Sequence, residues 1–136
     1  MNRNAFELWK PEGIPEGGYD VNGIAWNEGV ISFRLVPDGM KKAERELSLM
    51  WNGADLLAYH VTDESYRPDC WRRDPERDGR IFMARDSEYL TRFRQDNPLV
   101  PEGALHFLIV GTNTVVDVLA KCEPEVCVIN LPCKKE

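Results

Sequence analysis

The chain has 136 residues, of which 17 are Lys or Arg and 23 are Asp or Glu, so its net charge at pH 7 is −6. This length predicts a single globular domain over residues 1–136, and 43% apolar residues are typical of a folded chain. The acidic balance disfavours nucleic-acid binding, and no apolar run is long enough to span a membrane. The N-terminus lacks the apolar region of a secretory signal, so a cytoplasmic location is expected.

The first half of the chain predicts strands. Closely spaced Pro and Gly in residues 1–20 predict an irregular arm, with a short strand near residues 6–9. Strands are predicted at 21–26, 31–35, 44–51 and 54–62, and apolar and polar residues alternate in the second and third of these. The Asn52-Gly53 pair between the last two predicts a tight type I′ hairpin, because both residues tolerate a positive φ.

The second half begins with a long polar loop at residues 63–79, and a loop of this length is typically functional or mobile. One short helix is expected after Arg85, with Asp86 or Ser87 as its cap and Pro98 beyond its end. Apolar, β-branched runs predict strands, and residues 134–136 form a frayed tail. These later strands are expected at 81–84, 105–110, 114–119 and 125–129.

Together these elements predict an α+β fold, mainly an antiparallel sheet of about six to eight strands with one short helix packed on it. Such a sheet is able to curl into a half-barrel around the helix. The expected core consists of Ile31, Phe33, Leu35, Leu47, Leu49, Leu57, Phe82, Leu90, Phe93, Phe107, Ile109, Val116 and Val118.

The four cysteines lack the C-x-x-C spacing of a typical structural zinc site. Free thiols in a reducing compartment are the favoured interpretation, with a disulfide or a metal site as alternatives. No motif for a nucleotide, a nucleophilic serine or a metalloprotease centre is present, so no cofactor and no metal are predicted. The cysteines are Cys70, Cys122, Cys127 and Cys133.

Three polar residues on predicted strands form a candidate pocket. His60 and His106 are able to meet across the sheet, and Asp117 interrupts an apolar strand. A structural interpretation makes the histidines ordinary strand residues and lets Asp117 pair with an Arg or cap a turn. The functional alternative is an acid–base or ligand-binding site in the sheet.

Charge is uneven along the chain. Residues 1–64 carry 6 basic and 11 acidic side chains, whereas residues 65–96 carry 8 Arg and 7 acids. The polar loop at residues 63–79 contains charges of both signs. It is either a solvated segment with local ion pairs or a partner-binding surface with an aromatic anchor, Trp71. The candidate partner-binding residues are Asp63, Glu64, Asp69, Trp71, Arg72, Arg73, Asp74, Glu76 and Asp78.

Three stretches carry a resemblance to known proteins. They are Asp86-Ser87-Glu88-Tyr89-Leu90 with Phe93, His106-Phe107-Leu108-Ile109, and Val116-Asp117-Val118-Leu119 with Glu123-Pro124-Glu125-Val126. They resemble the C-terminal part of a group of small uncharacterised bacterial proteins. The general profile is also similar to immunity proteins of polymorphic-toxin and contact-dependent inhibition systems. This likeness implies a small, acidic, cytosolic α+β protein without catalytic motifs.

Two functions follow from these observations. The first is a non-catalytic binding module, an immunity or inhibitor protein that docks on a bacterial toxin domain. An acidic surface suits a basic toxin, because complementary charge speeds association. The alternative is an enzyme or small-ligand binder whose pocket in the sheet is built around His60, His106 and Asp117.

Overall fold

The computed structural model describes residues 6–11, 19–37, 45–68 and 81–130. These residues form nine β-strands, a 3-10 turn at Glu64–Tyr66 and one nine-residue α-helix, α1 (Glu88–Asp96). All strand pairs are antiparallel, which confirms the predicted α+β class. Within these ranges no helix is long and apolar enough to cross a bilayer.

The first sheet has five strands and carries the helix on one face. We call it the helix-side sheet. Its strands are β1 (Glu7–Leu8), β5 (Leu56–Asp63), β6 (Ile81–Ala84), β7 (Leu105–Val110) and β8 (Thr114–Ala120). Their order across the sheet is β1-β6-β7-β8-β5. The two apolar strands predicted at 105–110 and 114–119 are β7 and β8, which pair with each other in the middle of this sheet.

The second sheet has four strands and faces the first. Its strands are β2 (Tyr19–Asn27), β3 (Val30–Pro37), β4 (Arg45–Asn52) and β9 (Glu125–Asn130), in the order β2-β3-β4-β9. The strands therefore form a two-layer sandwich, and not one sheet curled around the helix.

The main core lies between the two sheets. Phe107 on β7 is its centre, with the Trp9 ring at 5.5 Å and the Trp51 ring at 5.3 Å between centroids. Edge-to-face ring contacts of this kind add to the apolar area that the core buries. Eleven of the thirteen predicted core residues are buried, whereas Leu57 and Phe93 are half-buried.

Helix α1 covers the outer face of the helix-side sheet. Ser87 is its N-cap, and the Ser87 Oγ accepts a hydrogen bond from the Leu90 N–H at 3.1 Å. Leu90 is fully buried against Leu119 of β8 and Ala104. The sequence prediction of a capped helix at this position is confirmed.

The turn after β4 differs from its prediction. Strands β4 and β5 belong to different sheets, so the predicted hairpin between them is wrong. Gly53 is not among the described residues with a positive φ, and the Asp55 N–H donates to the Asn52 carbonyl in a turn that crosses between sheets. The type I′ pattern occurs instead between β2 and β3, where Glu28 has φ 51° and Gly29 has φ 80°.

Candidate functional site

A chain of polar side chains crosses the outer face of the helix-side sheet. Asp117 on β8 lies directly opposite Leu108 on β7, so His106, two residues before Leu108, projects from the same face. Ser87 reaches this face because it begins α1. Arg67 arrives from the segment that follows the 3-10 turn.

Hydrogen bonds link these four residues one to the next, in the order Ser87, His106, Asp117 and Arg67. The Ser87 Oγ lies 2.7 Å from His106 Nδ1, and His106 Nε2 lies 2.7 Å from Asp117 Oδ1. The Arg67 guanidinium donates to the other carboxylate oxygen of Asp117. We call this set the buried polar chain. It joins β7, β8, the helix N-terminus and the segment after β5.

A neutral His106 satisfies every one of these groups. Since the Ser87 Oγ accepts from the Leu90 N–H, its own hydroxyl is free to donate to His106 Nδ1. His106 Nε2–H then donates to Asp117. This is an assignment from the hydrogen-bond pattern. Fully partnered groups of this kind are typical of buried structural networks.

The carboxyl group of Asp117 is held ionised by its partners. Burial raises its pKa, but the hydrogen bonds from His106 and Arg67 and the Arg67 charge outweigh burial, so its pKa lies below the ordinary value of 3.8. A buried carboxylate with a guanidinium partner needs no further cation. Of the two structural interpretations of Asp117, a turn cap and a pair with an Arg, the structure shows the pair with an Arg.

The buried polar chain has the composition of a hydrolase triad but lacks its exposure. Ser87 is 1% exposed, and His106 and Asp117 are each 3% exposed. The rings of Phe6 and Tyr89 pack edge-on against His106, with centroids 4.9 and 5.4 Å away. A nucleophilic serine must touch its substrate, whereas the Ser87 hydroxyl is buried and hydrogen-bonded to His106 and to the Leu90 N–H. We interpret the chain as structural.

His60 does not join this chain. His60 is on β5 and lies opposite Asp117 of β8. Its side chain is exposed, and its Nδ1 is 3.5 Å from the Thr62 Oγ1. Strand β8 separates it from His106, so the predicted meeting of the two histidines is not found. The structure thus brings together two of the three residues of the predicted pocket. Sequence reasoning missed Ser87 and Arg67, since neither is adjacent to His106 or Asp117 in the chain.

Strand β5 presents an open edge. Among the described strands it is the last of its sheet, with β8 on one side and no strand on the other. Two of its apolar side chains are exposed, Tyr59 by 38% and Val61 by 46%. The Tyr59 ring packs edge-on against Phe33 of the second sheet, at 5.6 Å between centroids. Exposed, uncovered edges are surfaces on which other chains add strands.

The backbone of β5 alternates between β8 and this open edge. The Glu64 N–H donates to the Asn113 carbonyl at 3.0 Å, one step beyond the last pair of the β5–β8 ladder. Bonded and non-bonded pairs alternate along an antiparallel ladder. Counting back by two, Thr62 and His60 bond to β8, up to the irregularity between Leu56 and Ala58. The odd-numbered residues Tyr59 and Val61 therefore direct their N–H and C=O groups outward.

Two predicted partner-binding residues lie at the end of this edge. Asp63 is the last residue of β5 and is exposed, and Glu64 opens the 3-10 turn. Hydrogen bonds from Ser65 lower the pKa of Asp63, so its charge is kept at neutral pH. Residues 63–66 of the predicted loop therefore belong to β5 and the 3-10 turn, whereas residues 69–79 lie outside the described residues. The other predicted residues, Asp69, Trp71, Arg72, Arg73, Asp74, Glu76 and Asp78, lie outside the described residues.

A cleft of about 260 Å³ lies near the end of β4 and is lined in part by Trp51, Asp55, Cys122 and Glu123. Trp51 Nε1 donates to the Cys122 carbonyl, so the indole is already partnered. Burial and the nearby Asp55 and Glu123 charges raise the pKa of the Cys122 thiol, which disfavours the reactive thiolate. Cys122 and Cys127 are free thiols, whereas Cys70 and Cys133 lie outside the described residues.

No set of three or more His, Cys, Asp or Glu side chains suited to a metal occurs in the described part of the chain. Comparison with protein-family models, curated proteins and solved structures finds no match to this chain. The candidate site is therefore defined by its own geometry: a buried, fully partnered polar chain behind the sheet and an open strand edge with an acidic end.

Proposed function

We propose that the protein is a non-catalytic protein-binding module, a cytosolic immunity or inhibitor protein that neutralises a bacterial toxin domain by docking on it. The observation that carries this proposal is the open edge of β5, with Tyr59 and Val61 exposed beside Asp63. A strand edge left open among polar surroundings is a feature that proteins usually suppress unless it binds something.

Charge supports a basic partner. The chain carries a net charge of −6, and Asp63 and Glu64 stand at the end of the exposed edge. Complementary charge accelerates encounter and helps to select the partner. The chemistry of the buried polar chain supports the same proposal, because Ser87 and His106 are inaccessible to a substrate.

The proposal is tested by co-purification with two matched variants. Val61→Asp places a charge on the open edge, and Leu99→Asp places the same charge on a side chain that is 95% exposed after the helix. Tagged chains are expressed in the native cell, and captured proteins are quantified by mass spectrometry after circular dichroism has shown that both variants fold.

We expect one stoichiometric basic protein with wild type and with Leu99→Asp, lost at high salt and reduced about tenfold or more by Val61→Asp, a change of about 1.4 kcal/mol in binding. Equal capture by both variants, or no partner with wild type, contradicts the proposal. Co-expression of the captured protein with each variant then tests inhibition: growth is rescued by wild type and by Leu99→Asp but not by Val61→Asp.

A further inference from the structure

The open edge of β5 specifies what kind of segment it binds. We propose that the partner contributes an extended segment that adds to β5 as a sixth strand of the helix-side sheet, with two apolar residues and one basic residue at alternate positions. This inference rests on the proposed function and adds to it the mode of binding and the chemistry of the bound segment.

The backbone supplies the first argument. Tyr59 and Val61 direct their N–H and C=O groups away from β8, and within the described ranges no strand pairs with them on that side, so an added strand is able to bond to both residues. Residues 56–62 contain no Lys, Asp, Glu or Pro, which are the residues that usually protect an edge. The one irregularity of the strand lies at its beginning, between Leu56 and Ala58.

The side chains supply the second argument. Tyr59, Val61 and Asp63 alternate along β5 and therefore project from one face. Directly opposed side chains on adjacent strands contact each other, and opposite charges are favoured there. A bound strand consequently places apolar residues against Tyr59 and Val61 and a Lys or Arg against Asp63. Read from the residue opposite Tyr59 to the residue opposite Asp63, the pattern of the bound strand is apolar–x–apolar–x–basic.

The charge pattern also excludes a second copy of the same strand. Residues 56–63 contain no Lys or Arg, so β5 of another copy offers Asp63 no basic partner. Two chains that each carry a net charge of −6 also repel one another. The segment therefore belongs to a different, basic protein.

The test uses a displayed library of random linear peptides as the probe and three variants of the intact chain. Val61→Pro removes an N–H that faces the open edge and leaves the ladder to β8 intact. Val61→Ala removes side-chain atoms but keeps that N–H. Asp63→Asn removes the charge and keeps an N-cap residue for the 3-10 turn. Thermal melts check that each variant is folded.

We expect selected peptides to carry the alternating pattern, to lose about tenfold or more in affinity with Val61→Pro, and to lose less with Val61→Ala. Asp63→Asn is expected to relax the selection for a basic residue. Peptides that bind Val61→Pro as well as wild type, or a library that yields no such pattern, overturn strand addition.

Two further results separate this inference from the proposed function. A captured partner that Val61→Asp releases but that binds Val61→Pro as well as wild type leaves the binding function standing and overturns strand addition. A wild-type chain that is dimeric by light scattering and becomes monomeric with Val61→Pro overturns the assignment to a basic partner, because a second copy then occupies the edge.

Discussion

Within the buried polar chain, Asp117 connects His106 to Arg67. Its carboxylate accepts from His106 on one oxygen and from Arg67 on the other, and the residue is 3% exposed. Removing one member of a buried ion pair leaves the other charge without compensation. The Arg67 side chain is 20% exposed, so water relieves part of this cost.

Asp117→Asn is therefore expected to lower the free energy of unfolding by about 3 kcal/mol, near the lower end for a broken buried pair. Urea unfolding at pH 7 measures the change. Asp96→Asn, at the exposed end of α1, is the matched control and is expected to change stability by less than about 0.5 kcal/mol. If Asp117→Asn lowers the free energy of unfolding no more than Asp96→Asn does, the buried polar chain contributes nothing to stability.

The contribution of Asp117 depends on pH in a defined direction. Because its pKa lies below the ordinary value of 3.8, the folded protein binds this proton less readily than the unfolded chain does. The stabilisation is fully present above the ordinary value and is lost as pH falls through the folded pKa. The stability difference between wild type and Asp117→Asn should shrink as the pH falls below about 4. A difference that grows in acid contradicts the assignment.

Substitution and labelling of Ser87 test whether the buried polar chain is structural or catalytic. It caps α1 and donates to His106 while 1% exposed. Ser87→Ala is expected to cost about 1–3 kcal/mol, through the lost cap and an unpartnered His106. A fluorophosphonate probe should not label the wild-type protein at Ser87, as read by mass spectrometry. Labelling there that disappears in Ser87→Ala would make the chain a hydrolytic triad.

At the scale of the element, the β2–β3 turn depends on two residues with positive φ. Gly29 has φ 80° and open space around its Cα, so an added methyl group meets a conformational cost and no clash. Gly29→Ala is expected to cost about 1 kcal/mol. Gly103 has equally open space without a positive φ, so Gly103→Ala should leave the thermal midpoint unchanged or slightly higher. Equal effects of the two substitutions would contradict this explanation.

Element positions were predictable from local pattern, whereas strand pairing was not. The alternation of apolar and polar residues in 44–51 correctly predicted β4, and the apolar run that follows Asn52-Gly53 correctly predicted β5, because both patterns are local properties of the sequence. Their pairing was predicted wrongly from Asn52-Gly53, because a turn sequence does not reveal whether the chain stays in one sheet or crosses to another. The turn that does adopt positive φ contains Glu28, a residue type that sequence rules do not favour there.

The candidate site was predictable in part for the same reason. Asp117 stood out as an acid in an apolar strand, and its pairing with an Arg was anticipated. Its partner, Arg67, lies 50 residues away, and only the fold brings the two together. The open edge of β5 was also hidden, since it depends on which strand ends the sheet and not on the composition of β5 itself.

At the scale of the whole molecule, the sandwich separates two roles. The helix-covered face of one sheet holds a sealed polar chain that ties β7, β8 and α1 together. At the edge of the same sheet Tyr59 and Val61 are exposed, and no other strand of the described part of the chain pairs with them on the outer side. A strand edge held in place by a packed sheet is suited to binding another chain, because an already ordered backbone loses little conformational freedom on association.

The most direct test of this account is amide hydrogen exchange along β5 in the free protein, measured residue by residue by NMR. The ladder predicts that His60 and Thr62 are protected by β8, whereas Tyr59 and Val61 face solvent and exchange at least about tenfold faster. Alternating fast and slow exchange would support an edge available for a partner strand. Uniform protection across these four amides would show that the edge is already covered and would contradict the proposed binding function.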